Sequence, residues 1–333
     1  MTGPQITSAG LRTAQVGGVL ALVRAARLAD GVEPLSEHVM LHLRYDSSDP
    51  DPGASPDPQP GRDFVLTTGG EIAGYAYLDP LPATAESDVT GELVIHPGRR
   101  RHGFGRALAG ELAAQAGGHT LRLWAHGDLP AAAGLARSMG LERFRALWQM
   151  RRPLHGPLDQ PVLPAGRTLR TFVPGQDEDE WLNLNARAFA KHPEQGGWTR
   201  HDLELREREP WFDPAGFFIA ETDGLMAGFH WTKVHPPGEQ DGSRDPGAPP
   251  GPPSPAIGEV YVVGVDPAEQ GSGLGRALTL AGLHHLRDLG VAQAMLYVDE
   301  DNVPAIRMYE ALGFTRTRID AMYRQRALDV VDA

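Results

Sequence analysis

Two stretches decide the fold. One is Val94-Ile95-His96-Pro97-Gly98-Arg99-Arg100-Arg101-His102-Gly103-Phe104-Gly105-Arg106-Ala107-Leu108, the other Gly264-Val265-Asp266-Pro267-Ala268-Glu269-Gln270-Gly271-Ser272-Gly273-Leu274-Gly275-Arg276-Ala277-Leu278. They lie 170 residues apart and follow one plan. An apolar strand ends in a prolyl turn, an Arg/Gln-x-x-Gly-x-Gly loop follows, and a helix opens. Such a loop suits a pyrophosphate, because free N–H groups and the helix dipole converge on the anion. Gly103 and Gly105, like Gly273 and Gly275, let backbone approach a ligand closely. Gly-x-Gly alone is common. The preceding strand, the basic or polar residue three positions before the first Gly, and the duplication together raise the signal. The Gly-Lys-Ser/Thr of a Walker loop is absent, and the glycine spacing is not that of the dinucleotide fingerprint. The repeat therefore predicts two related domains built around a phosphate-bearing cofactor.

The 333 residues are enough for two domains, and an internal repeat argues for that count independently of length. Working outward from the loops, the pattern predicts an α/β fold in which each half repeats one order. In the first half, helices are expected at 11–29 and 34–44 and strands at 63–67, 71–79 and 89–96. Helix 102–117, strand 120–126, helix 130–139 and strand 142–150 follow. In the second half, the expected order is strand 167–172, helix 176–190, strands 216–221, 225–234 and 258–265, helix 271–289, strand 292–298, helix 302–312 and strands within 314–325. Gly69-Gly70 and Asp223-Gly224 read as matching hairpin turns. Residues 151–166, with Pro153, Gly156, Pro157, Pro161 and Pro164, read as the linker, which sets domains at 1–155 and 156–333. Asp46 to Gly61 reads as a Pro/Asp/Ser-rich loop. Between Pro236 and Pro255, 12 of 20 residues are Pro or Gly. That insert is either a tolerated surface expansion or a lid, since its ends flank candidate site residues.

Composition excludes several functions. No cysteine is present, so disulfides, thiolate metal sites and a cysteine nucleophile are ruled out. His284-His285 lack metal-ligand spacing, and no metal is expected. The net charge of -12 argues against nucleic acid as a partner. No apolar run approaches the ~18 residues of a membrane span. With no targeting pattern, a cytoplasmic monomer is expected. Lys191 and Lys233 are the only lysines. Lys233 in particular reads as a place where a compact ammonium is wanted rather than a guanidinium fork.

The loop after a Val-rich strand resembles motif A of the GNAT N-acetyltransferases. Tyr297-Val298-Asp299-Glu300-Asp301-Asn302-Val303-Pro304-Ala305-Ile306-Arg307-Met308-Tyr309-Glu310-Ala311-Leu312-Gly313-Phe314 resembles the family's motif B. The resemblance implies two tandem GNAT domains, an α/β fold with a mixed (α+β) sheet, and acetyl-CoA as co-substrate. It assigns cofactor contacts to Val263, Gly264, Val265, Gln270, Gly271, Ser272, Gly273, Leu274, Gly275 and Arg276, and to Asn302, Val303, Pro304, Ala305, Ile306 and Arg307. In the first half it assigns them to Leu93, Val94, Ile95, Arg101, His102, Gly103, Phe104, Gly105 and Arg106. A narrower resemblance is carried by Trp124-Ala125-His126-Gly127, Gln149 to Leu154, Asn185 to Phe189, His192 to Gly196, Gly228 to Lys233 and Gly258 to Val262. It is to tandem members that acetylate the cysteinyl amine of a cysteine–glucosamine–inositol pseudodisaccharide, a small thiol. It implies that Glu37, Glu194, Lys233, Glu259 and Tyr297 contact the acceptor.

The repeat allows an internal comparison. With the loops aligned, Glu259 falls opposite Val89. With Leu312-Gly313-Phe314 aligned on Met139-Gly140-Leu141, Tyr309 falls opposite Ala136 and Asn302 opposite Leu129. The first half keeps a phosphate loop but lacks these three groups, which predicts one working site, in the second half. Glu259 is an acidic anomaly in a Val/Tyr strand and is the candidate base; the alternative is an outward, solvated Glu. Tyr309 is suited to protonate the departing thiolate, or else packs the helix. Backbone N–H groups around Val263 and Val265 are candidate donors to acetyl and pantetheine oxygens. Asn302 reads as helix N-cap, as pantetheine contact, or both. Other acceptors, such as an aminoglycoside or a protein N-terminus, and a CoA-binding sensor without catalysis are the rival readings.

Overall fold

The computed structural model describes residues 3–8, 11, 13–46, 61–84, 87–237 and 255–325. Most of the expected loop after Asp46 and most of the Pro/Gly-rich insert lie outside the described residues. The elements in chain order are β1 (Gln5–Thr7), α1 (Thr13–Asp30), α2 (Glu37–Leu41), β2 (Arg62–Thr68), β3 (Glu71–Leu78), β4 (Val89–Ile95), α3 (Phe104–Gln115), β5 (Leu121–Ala125), α4 (Pro130–Ser138) and β6 (Leu141–Pro153). There follow β7 (Arg167–Thr171), α5 (Glu178–Ala188), α6 (Pro193–Gly196), α7 (Arg200–Glu207), β8 (Phe217–Thr222), β9 (Leu225–His235), β10 (Ile257–Val265), α8 (Leu274–Asp288), β11 (Gln293–Asp299), α9 (Val303–Ala311) and β12 (Thr315–Gln325).

Two compact units form. The first runs to Leu147 and takes back the chain from Ile319; the second begins at Trp148 and ends at Arg318. In the first unit the strand order is β1-β2-β3-β4-β5, with the end of β12 antiparallel to β5 through Ala321↔Ala125 and Tyr323↔Leu123. Among the described residues of this unit only β4 and β5 pair in parallel. In the second unit the order is β6-β11-β10-β9-β8-β7, with β10 and β11 parallel and the hairpins antiparallel. A parallel pair needs a crossover, and α3 and α8 supply it.

Alternation along the strands sends side chains to two helical layers. In the first unit Val65, Tyr75 and Val94 pack with Val19, Leu22 and Ala26 of α1. Phe64, Leu66 and Leu78 pack with Leu108 and Leu112 of α3. In the second unit Trp181 and Leu184 of α5 cover Phe217, Phe229, Trp231 and Val262. Leu280, Leu283 and Leu286 of α8 and Ile306 and Tyr309 of α9 cover Val260, Leu296 and Val298. Both predicted hairpin turns form, with positive φ at Gly69 (60°), Gly70 (84°), Asp223 (51°) and Gly224 (80°).

The structure differs from expectation in a few places, each with a cause. The helix expected over 34–44 splits into α2, capped by Ser36, and a π turn at His42–Asp46. β6 enters the stretch read as linker, because Met150 and Leu154 are buried in the second unit's core and the Arg152 guanidinium donates to the Leu312 carbonyl. The segment 314–325 is a single strand. β1, α6 and α7 were not anticipated; α7 opens on a Thr199/Asp202 capping box and buries Leu203 and Leu205.

Candidate active site

Each phosphate loop is built the same way from different residues. After β10, Asp266 accepts from the Ala268 N–H at 3.0 Å; after β4, His96 Nδ1 accepts from the Gly98 N–H at 3.2 Å. The Ala268 N–H, then the Arg187 guanidinium, hold the Asp266 carboxyl below its ordinary range. Gly273 (φ 90°) and Gly103 (φ 84°) cap α8 and α3 in the left-handed region, with no side-chain cap. The first N–H groups of a helix lack intrahelical partners. Here they open on an exposed turn, with Gln270 to Gly273 and Arg101 to Gly103 all exposed. A β-carbon at Gly271, Gly273 or Gly103 would meet nothing within 4 Å. These glycines serve the turn rather than the core, and the space over them is open.

The side chains around the loops are less available than their backbones. Ser272 Oγ donates to the Glu269 carbonyl at 2.7 Å and lies 3.3 Å from the Leu274 N–H. Arg276 pairs with Asp159 at 2.6 Å, and Arg106 donates to the Ser138 carbonyl at 3.0 Å. Arg100 is bound bidentately by Asp30 and Arg99 by Glu71. Arg101 alone of the three makes no ion pair among the described residues. His102 stacks on Phe104 with ring centroids 5.8 Å apart. Leu274 and Ile306 are buried, and their N–H groups donate to Ser272 Oγ and to the Asn302 carbonyl.

The strands leading into the loops splay. β10 pairs with β11 only over Gly258, Glu259 and Val260. Tyr261, Val262, Val263, Gly264 and Val265 have no β11 partner, which leaves a slot with backbone amides on its edge. β4 does the same, pairing with β5 over Val89, Thr90 and Gly91 and leaving Glu92, Leu93, Val94 and Ile95 beyond. The second unit adds a β-bulge between Val260 and Val262. The extra residue, Tyr261, shifts the correspondence by one. Glu259, opposite Lys233 and Met295, therefore matches Thr90 rather than the Val89 expected from the sequence alignment.

Glu259 is buried, which excludes the outward, solvated alternative. Its Oε2 lies 2.6 Å from His235 Nε2. Lys233, its cross-strand neighbour, holds its ammonium 4.4 Å from the Trp211 ring centroid and 5.2 Å from that of Tyr261. Tyr309 is buried against Phe314, and its hydroxyl has no hydrogen-bond partner among the described residues. Burial pushes its pKa up to about 12, so it stays protonated. Asn302 is the N-cap of α9, accepting from the Ala305 N–H at 3.3 Å. Leu129 occupies the same position before α4 and cannot cap it.

Of the acceptor set, Glu259, Lys233, Tyr297 and Glu194 lie in the second unit. The Tyr297 hydroxyl accepts from buried Gln149 at 2.8 Å. Glu194 is exposed on α6, and neighbouring His192 lies 3.4 Å from Asp299. Glu37 stands in the first turn of α2, in the first unit. The backbone slot, the uncapped helix turn and the protonated Tyr309 fit a thioester cofactor carrying a diphosphate.

The acetyltransferase (GNAT) family model matches residues 33–141 and 179–314. This chain belongs to the GNAT family. It is 57% identical to the mycothiol acetyltransferase of Thermobispora bispora, over 92% of this chain and 95% of that one. It is 54% identical to the mycothiol acetyltransferase of Thermomonospora curvata, over 96% of each chain. Among solved structures, a tandem GNAT protein from the clavulanic acid biosynthesis pathway superposes with a TM-score of 0.68 at 22% identity, covering 98% of this chain and 100% of that one. That likeness concerns the fold. The two family matches correspond to the two repeats, and acetyl-CoA is the family's acyl donor. Among the described residues no helix is long and apolar enough to cross a membrane.

Several side chains gathered around Glu259 and Lys233 were not anticipated from the sequence. His235 shares the period-2 face of Lys233, a signal visible in β9, but its meeting with Glu259 depends on register. Trp211 and Tyr261, the aromatic seat of Lys233, come from separate elements joined only by folding. His284 and His285, read as surface or packing groups, lie against Asp159 and Phe218 respectively.

Proposed function

We propose that the chain transfers an acetyl group from acetyl-CoA to the cysteinyl amine of 1D-myo-inositol 2-(L-cysteinylamino)-2-deoxy-α-D-glucopyranoside, completing mycothiol. The observation that carries the reading is the division of β10. Its paired end holds a buried carboxylate, and its splayed end offers unpartnered backbone beside a glycine-capped helix.

An α-amine with a pKa of about 7.7–8.0 is mostly protonated at pH 7. Glu259 takes a proton from it, directly or through water, and exposes the lone pair. Acetyl-CoA supplies the thioester carbonyl. The N–H groups around Val263 and Val265 face the charge that grows on the acetyl oxygen. Tyr309 gives the departing sulfur its proton. The chain holds no cysteine, so the acetyl group passes to the amine without a cysteinyl acyl-enzyme. Lys233, Glu194 and Tyr297 read the acceptor's polar groups. In this reading the second unit, which begins at Trp148 rather than at residue 156 and gives up the chain from Ile319, is catalytic, and the first binds acetyl-CoA without turnover, because Thr90, Leu129 and Ala136 stand where Glu259, Asn302 and Tyr309 act. The protein works as a cytoplasmic monomer without nucleic acid.

The test is direct. Purified protein is incubated with acetyl-CoA and the cysteinyl pseudodisaccharide, thiols are blocked on quenching, and acceptor mass is followed. One added acetyl on the amine is expected. No acetylation with acetyl-CoA still bound would refute this acceptor and redirect the search to other amines.

A further inference from the structure

We propose that His235 is a positioning residue for the base: its Nε2–H holds one oxygen of Glu259 so that the other faces the acceptor amine. This rests on the reading of Glu259 as base. His235 closes β9 opposite Ile257, and Glu259 stands opposite Lys233. The two side chains are therefore diagonal neighbours on one face of the hairpin. They meet at 2.6 Å, with the His235 side chain 17% and the Glu259 side chain 9% exposed. Glu259 Oε1 has no partner among the described residues, and neither has His235 Nδ1.

A carboxylate only accepts hydrogen bonds, so the contact fixes the imidazole tautomer with its proton on Nε2. A base bound at both oxygens would be oriented but occupied. One bound at Oε2 alone is oriented and still has Oε1 to receive a proton. The obvious electrostatic partner is not used: Lys233, directly across the ladder, makes no ion pair with Glu259 and sits over Trp211 and Tyr261 instead. That arrangement keeps an ammonium off the carboxylate that must receive the substrate's own. Sequence adds a second constraint. His235 is followed by Pro236-Pro237, which cannot extend the β9 ladder because proline lacks an N–H, so the strand ends on the residue that touches the base.

The test compares His235→Leu, which removes the donor, with His235→Gln, whose amide restores it. Loss of a hydrogen bond to a charged group corresponds to roughly 10- to 100-fold. His235→Leu is expected to lower kcat by that factor with the KM for acetyl-CoA unchanged, and His235→Gln to recover most of it. A long-range 1H–15N spectrum of the histidines in the resting enzyme is expected to show His235 as the Nε2–H tautomer, with its signal shifted in Glu259→Ala. Wild-type kcat in His235→Leu, equal losses in both variants, or an Nδ1–H tautomer would each overturn the proposal. If the wild-type enzyme acetylates no acceptor, the reading of Glu259 as base fails, while the spectrum still decides whether His235 donates to it.

Discussion

The two units carry one loop and two fates. Both strands splay after three paired residues, both loops turn through left-handed backbone, and both helices begin on an uncapped glycine. What separates them is small. β10 contains one bulged residue that β4 lacks. Glu259 replaces Thr90, Asn302 replaces Leu129, and Tyr309 replaces Ala136. The first unit has its own buried carboxylate in β4, yet it is spent on structure. Glu92 accepts from the Ser36 N–H at 2.7 Å and lies 3.3 Å from His126 Nε2. His126 Nδ1 lies 3.4 Å from Asp320, which accepts from the Gly127 N–H at 2.7 Å. A backbone can thus be duplicated intact while the side chains around it diverge.

The largest difference between the two units is expected at the proposed base. Glu259→Gln should lower kcat/KM on the order of 10²–10⁴-fold, with acetyl-CoA binding by calorimetry retained. Thr90→Val at the matching position should leave turnover alone. Next is the acid. Tyr309→Phe should lower kcat with little change in the acceptor's KM, and because the Tyr309 pKa is about 12, the wild-type rate should show no tyrosine ionisation up to about pH 11. Ala136→Ser in the first unit should change neither constant.

Half-buried His126, between buried Glu92 and Asp320, gives the next effect, on stability. Burial pushes His126 down, but its bonds to Asp320 and Glu92 outweigh burial and raise its pKa to about 10. Burial pushes Glu92 up, and the His126 interaction more than reverses it. A histidine raised from about 6.5 stabilises the fold fully below pH 6.5, and that contribution is lost as pH rises through 10. His126→Ala should cost about 3–5 kcal/mol, and His126→Gln should flatten the decline of Tm between pH 6.5 and 10. The smallest effects are at the caps. Asn302→Ala should cost about 1 kcal/mol and Leu129→Asn should gain a similar amount, both read from urea melts.

The loops and hairpin turns were legible because their backbones need φ > 0, which favours Gly and Asp at fixed places. The N-cap position of Asn302 and its absence at Leu129 were legible for a similar reason. Arg101 marks the limit: it adopts φ 66° where its counterpart Gly271 adopts 80°, so the sequence changes while the turn persists. The bulge at Tyr261 was hidden, because an extra residue in an unbroken Val/Tyr run disturbs no alternation of apolar and polar positions. The Glu259–His235 contact was hidden for a related reason, since it depends on ladder register across an insert of unspecified course. The return of Ile319 to Gln325 to the first unit was not legible either, because strand patterning names no partner strand.

If one of the two equivalent loops serves catalysis, acetyl transfer by Gly273→Asp beside Gly103→Asp separates them. Both substitutions place a carboxylate at a left-handed helix cap with open space around it, in a conformation Asp tolerates better than most residues. Gly273→Asp is expected to abolish transfer and Gly103→Asp to leave kcat at the wild-type value. Loss of transfer in Gly103→Asp, with Gly273→Asp still active, would contradict the account.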